Sequence, residues 1–459
     1  MSQIQSGKTF NLHPVRSRSN PYRILFWSLL ILGSGWLLLL LNRGQVQSPF
    51  NATPTPTRSP QSYIMAAQAY FAAGKLDDPA SDQDAIGAYQ KALEIDPDNA
   101  LVWAELARIQ TYSSSALSTD QERQARLQEA LASVEKGLEL APDDSTVVAV
   151  YAFVLDWNAS SNLISPDERE AYLAKAETNA NRAYLLDPEN ALALAFYAEV
   201  LLDQQKWDQA KQYASQAVER APDSMDTHRI LGTVLEAWGY YRDAIDEYIK
   251  ASQITPNLTF LYLRIGLGYR QLAYNQNQLY TTALEYFEKA ANVNQQLGIK
   301  DPLPYIAIAK VYAQQGYFQM ASLNGEKALS FNVSNADTYG QLGMIYVQAR
   351  NYETALPTLR CAVDGCTADE TAKLFEDIGI LTESAAVKPL PLTNLNIAYY
   401  YVRYGSVLAY LSTPENGYCS HSLELMTQLR LTYPDDPVLM QNVEDNEATC
   451  RSLMGTPSP

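Results

Sequence analysis

Two spacings of apolar residues divide the chain. From Ile24 to Leu41 the apolar residues are continuous, ILFWSLLILGSGWLLLLL, with no charge, Arg23 and Arg43 at the ends and Trp27 and Trp36 inside. Such a stretch predicts a helix of about 27 Å, close to the thickness of a bilayer core, with Tyr22 and the flanking arginines reaching the headgroups. Beyond residue 62 the apolar residues instead return with helical period. In MDTHRILGTVLEAWGYYRDAIDEYIKASQITPNL, residues 225–258, His228, Leu231, Gly232 and Leu235 fall at i, i+3, i+4 and i+7, and Ala244, Tyr248 and Ala251 repeat that spacing. Each set marks one face of a helix, and the small residues Gly232 and Ala244 let the two helices approach while Tyr248 fills the space between them.

The block before it, residues 191–224, aligns with this one without a gap, so the period is 34 residues. Closing prolines recur at Pro97, Pro142, Pro188, Pro222 and Pro256, with steps of 45, 46, 34 and 34. The early repeats therefore carry insertions, and the capping-box pairs Thr119 with Glu122 and Ser165 with Glu168 predict lengthened second helices in repeats two and three. Later repeats are marked by Tyr262, Gly266 and Phe287, by Tyr305, Ala309 and Ala328 with Gly325 in the aromatic place, and by Tyr339, Gly343 and Leu359 with Thr367 in place of proline. After a divergent stretch, residues 370–393, a ninth repeat follows with Tyr401, Gly405 and Leu408 in its first helix and Met426 and Leu429 in its second. A polar last helix from about Asp436 to Met454 suits the end of a stacked array.

The bulky residue, Leu-Gly, Tyr, then Ala, aromatic, Ala and Pro of residues 225–258 resemble the tetratricopeptide repeat (TPR). The resemblance covers about four fifths of the chain and implies an all-α helix-turn-helix solenoid, here with a single N-terminal transmembrane helix, of the membrane-anchored bacterial kind. It also implies that first helices line a concave, ligand-meeting face. The matching positions are Glu199 and Asp203 in repeat four, Arg229, Thr233 and Glu236 in five, Leu263, Leu267 and Arg270 in six, Ile306 and Lys310 in seven, and Met344 and Gln348 in eight. The Lys and Asn clamp of members that grip a C-terminal carboxylate is not matched, because asparagine is missing at those places.

Charge sharpens the picture. The first 46 residues hold Lys8, Arg16, Arg18, Arg23 and Arg43 and no acid, although the whole chain carries a net charge of −17. The repeat region is therefore strongly acidic, which excludes nucleic acid and anionic membrane surfaces as its partners. Basic residues on the N-terminal side of the apolar helix place the N-terminus in the cytoplasm and the repeats outside, as an uncleaved signal anchor; NRGQVQS offers no A-x-A cleavage site. The organisation expected is a basic tail at 1–23, the anchor at 24–41, a Pro/Thr/Ser-rich linker at 42–61, the repeats at 62–435 and a capping helix and tail at 436–459.

An extracytoplasmic body allows disulfides. Cys419 and Cys450 lie about equally far on either side of the turn at Pro434, so antiparallel packing pairs them, and an αL turn at Gly365 can join Cys361 to Cys366. The three histidines, His13, His228 and His421, form no catalytic or metal-binding motif, and the sequence contains no phosphate loop, zinc motif or nucleophile elbow. No catalytic residue, cofactor, metal or small-molecule substrate is expected. The expected function is a scaffold or adaptor that holds a protein or extended peptide outside the cytoplasmic membrane and meets the membrane through its N-terminal helix only. The alternatives are a structural subunit of an envelope complex and an accessory that recruits substrate to a separate transferase.

Overall fold

The computed structural model describes residues 20–42, 58–78, 81, 83–117, 119–161, 163–274 and 276–454. The basic tail, Arg43 and most of the Pro-rich linker lie outside the described residues. The chain divides into two units, residues 1–58 and 59–459.

The first unit's one element among the described residues is helix α1 (Pro21–Asn42), 22 residues long and exposed from Pro21 to Leu39. By length and composition it can cross a membrane, a test that a signal sequence also passes.

The second unit is built of helices α2 to α21. Repeat one is α2 (Pro60–Ala72) and α3 (Ala85–Ile95), two is α4 (Ala100–Ser114) and α5 (Asp120–Leu140), three is α6 (Ser145–Ala159) and α7 (Pro166–Leu186), and four is α8 (Ala191–Asp203) and α9 (Trp207–Arg220). Repeat five is α10 (Met225–Ala237) and α11 (Tyr241–Ile254), six is α12 (Thr259–Ala273) and α13 (Leu279–Leu297), seven is α14 (Leu303–Gln314) and α15 (Phe318–Leu329), and eight is α16 (Ala336–Gln348) and α17 (Tyr352–Val363). An extra helix, α18 (Ala368–Ile378), precedes repeat nine, α19 (Leu395–Tyr410) and α20 (Tyr418–Thr432), and α21 (Pro437–Leu453) closes the array. Helix α2 starts earlier than the expected linker boundary. Pro60 occupies its first turn, where the missing amide costs nothing, and Ser59 caps it.

Both capping boxes form, with Thr119 and Glu122 starting α5 and Ser165 and Glu168 starting α7, and each of these helices runs 21 residues where α9 has 14. In repeats five, six, eight and nine the two helices meet at a glycine. A Cβ on Gly232 would sit 2.8 Å from the Tyr248 ring, on Gly266 2.4 Å from Phe287, on Gly343 2.6 Å from Leu359 and on Gly405 2.5 Å from the Met426 methyl. One contact is thus rebuilt with four different partners. The glycine at the aromatic position of repeat seven has a reason as well: a Cβ on Gly325 would lie 2.8 Å from Leu342 of the next repeat.

The divergent stretch departs from the repeat. Thr367 forms a capping box with Glu370 and begins α18, so the position that lacks the closing proline starts a helix. The segment after α18 returns to the end of α17 through paired hydrogen bonds between Cys366 and Val387, and Tyr401 Oη donates to Leu390 O at 2.8 Å. Both disulfides are present, Cys361 to Cys366 across Gly365 at a φ of 82° and Cys419 to Cys450 between α20 and α21, with Cα separations of 4.8 and 5.2 Å.

Candidate functional site

First helices pack against first helices along the inner face, α4 on α6, α6 on α8, α8 on α10, α12 on α14, α14 on α16 and α16 on α19. Along repeats two to five this face is filled by the protein's own side chains. Arg229 makes a two-pronged pair with Glu199, both bonds 2.7 Å, and the residues are only 5% and 8% exposed. Arg108 bonds Asp226 at 2.8 Å and Glu105 at 2.7 Å, and Tyr112 Oη donates to the other oxygen of Asp226. Aromatic rings close the space around these charges. The Arg229 guanidinium lies 5.4 Å from the Tyr112 ring and 5.8 Å from Phe153, and Tyr112 stacks at 5.9 Å on Phe260 of repeat six. The first repeat meets the turn between repeats five and six in the same region, where Asn257 Nδ2 donates to Ala73 O at 3.0 Å.

Burial on this scale changes protonation. Asp156, 2% exposed, lies beside Asp203 and Glu199; burial first, and then those two acids, push its carboxyl well above the usual range. Asp203 sits at the exposed end of α8 and is pushed up to about 6, by desolvation first and then by Glu199. Both shifts run the same way, so the pair holds a proton above the usual carboxylate range.

Sequence reading gave Glu199 and Arg229 to a partner, and the structure corrects that expectation: each spends its charge on the other inside the core. Thr233 bonds Arg229 O at 3.0 Å, and Glu236 accepts from Tyr248 Oη at 2.7 Å and pairs with Arg264. Leu263 and Leu267 are half-buried against neighbouring repeats.

The remaining positions behave differently. Arg270, Ile306, Lys310, Met344 and Gln348 converge on one cavity of about 770 Å³ walled by α12, α14, α16 and α19. Residues that sequence reading missed complete it, among them Phe318, Asp337, Gln341, Asn396, Tyr399 and Tyr400. Tyr400 is held in the wall because Gly340 leaves room for its ring, a Cβ there falling 2.5 Å from it, and its hydroxyl donates to Asp337 Oδ1 at 2.9 Å. Burial, then the Asp337 carboxylate, raises the Tyr400 phenol well above its usual range and keeps it a donor. The signal for Tyr400 was available: it precedes the repeat residue Tyr401 by one position, a quarter turn toward the inner face.

His421 lies near the Cys419 to Cys450 bond in sequence but is held by acids. Its ring nitrogens meet Asp364 at 3.0 Å and Glu424 at 3.3 Å, while the two cysteines bond each other.

Comparison with known proteins agrees with this geometry. A tetratricopeptide-repeat family model matches residues 88–132. The human IFIT1 dimer with PPP-AAAA is 15% identical, over 87% of this chain and 92% of that one, with a TM-score of 0.50. The tetratricopeptide-repeat protein TTC0263 of Thermus thermophilus is 18% identical, over 46% of this chain and 98% of its own, with a TM-score of 0.36. No curated protein matches the sequence. At such identities the likeness to solved structures is one of fold. Repeat spacing and helix pairing give the second unit the fold of a tetratricopeptide-repeat solenoid, and the family model matches one stretch of it. That unit holds 20 helices, α2 to α21, among the described residues.

Proposed function

We propose that this protein is a membrane-anchored scaffold that holds a segment of another protein in the cleft of repeats six to nine, outside the cytoplasmic membrane. The observation that carries the reading is the contrast within one inner face, whose early part is filled by internal ion pairs while its later part opens onto a cavity lined by Arg270, Ile306, Lys310, Met344 and Gln348. A mixed apolar and polar lining suits a polypeptide. Anchoring through α1 rests on its length, its uncharged run from Ile24 to Leu41 and the basic residues before that run, and two disulfides suit an oxidising compartment.

The test is in-cell photocrosslinking from a probe placed at Met344, with the same probe at the exposed Leu323 of α15 as control. A discrete extracytoplasmic protein should crosslink from Met344 and not from Leu323. Equal adducts from both positions would remove the cleft as the binding face, and cytoplasmic adducts would reverse the topology.

A further inference from the structure

The cleft has a chemical preference of its own, which rests on the reading just given. Inward-facing guanidiniums elsewhere in the body are matched with acids: Arg108 with Asp226, Arg126 with Asp77, Arg229 with Glu199. Arg270 on α12 and Lys310 on α14 line the cavity together, and among the described residues neither has an ion-pair or hydrogen-bond partner. Both are held below their ordinary basic ranges, Arg270 by desolvation against a smaller pull from Tyr280, and Lys310, exposed at the cavity, by desolvation and then the charge of Arg270 against a smaller pull from Asp337. Two cations lining one cavity leave a place that an anion would complete.

The acid already at hand does not fill it. Asp337 is the one acid lining the cavity among the described residues, and its oxygens are taken by Tyr400 Oη at 2.9 Å and Gln341 Nε2 at 2.5 Å. Gln341 Oε1 is buried without a donor among the described residues. The first turns of α16 and α19 have spent amides on their own caps, Asp337 and Thr338 N on Asn335 and Ile397 N on Asn394. These walls therefore offer no backbone nest of the kind that captures a chain terminus.

We infer that the segment held in this cleft is an extended peptide with an internal aspartate or glutamate side chain, seated between Arg270 and Lys310, with apolar neighbours against Ile306, Phe318 and Met344. The charge of the body makes the pair selective, because an acidic partner would be repelled elsewhere on this surface and attracted here.

The experiment selects binders for the detergent-solubilised full chain from a displayed library of random peptides, then synthesises them acetylated and amidated. Binders should contain an acid whose change to Asn or Gln weakens binding at least about tenfold. The Arg270→Gln/Lys310→Gln variant should show the same loss, with no further loss from the acid change. Peptides that crosslink to a probe at Met344 yet show no acid dependence, or that bind only with a free carboxyl terminus, overturn the inference while the cleft remains a binding site. If no selected peptide crosslinks to Met344, the cleft reading and the inference fall together.

Discussion

Asp156 shows how one buried carboxyl ties stability to pH. Its pKa is raised in the folded protein, by burial first and then by Asp203 and Glu199. The folded state therefore holds a proton that the unfolded chain releases near pH 4, and stability present below that value is lost as pH rises through the folded pKa. Asp156→Asn keeps a donor toward Asp203 and carries no charge to bury. The variant should melt above the parent at pH 8, with the gap closing toward pH 4, and thermal denaturation across that range reads it. An unchanged gap would mean that the fold does not raise the Asp156 carboxyl. Arg229 and Arg270 make the companion point about legibility. Both were read as groove positions from the same repeat logic, and one is buried against Glu199 while the other lines an open cavity. Their local sequences do not separate them, because the difference lies in the residues that long-range contact brings to the filled face, Tyr112 and Phe260 among them.

At the scale of the helix pair, the glycine contact sets a graded expectation. Ala at Gly266 drives a methyl into the fully buried Phe287 ring, which has no room to move, whereas Ala at Gly405 meets the flexible end of Met426. Gly266→Ala should cost about 1–3 kcal/mol and Gly405→Ala less than about 1 kcal/mol, as urea titration would show. Equal costs would mean that the pairs relax alike. Helix pairs were the most legible part of the chain, because Gly, Ala and Tyr at fixed spacing report packing directly and the capping boxes at Thr119 and Ser165 mark starts without tertiary help. Helix α18 was less so. It lies in a stretch with no repeat signature, and its returning segment is held by backbone bonds between Cys366 and Val387 that no side-chain pattern announces.

Across the repeat body, covalent and non-covalent ties are divided by position. Both disulfides lie after residue 360, whereas residues 59–300 are held together by ion pairs, rings and the Asn257 to Ala73 bond. Reduction should therefore loosen α17 to α21 and leave α2 to α13 unchanged, with the Cys419 to Cys450 bond contributing about 2–4 kcal/mol to its end of the array. Hydrogen exchange with and without reductant separates these regions, and uniform deprotection would contradict the division.

The bond from Asn257 to Ala73 carries one more consequence. A stack of repeats is ordinarily a spring, since each unit touches only its neighbours and bending is shared along the whole length. Fastening the first repeat to the turn between the fifth and sixth stiffens that early stretch. On the proposed reading, a partner entering the cleft would then bend the later coils more than those behind them.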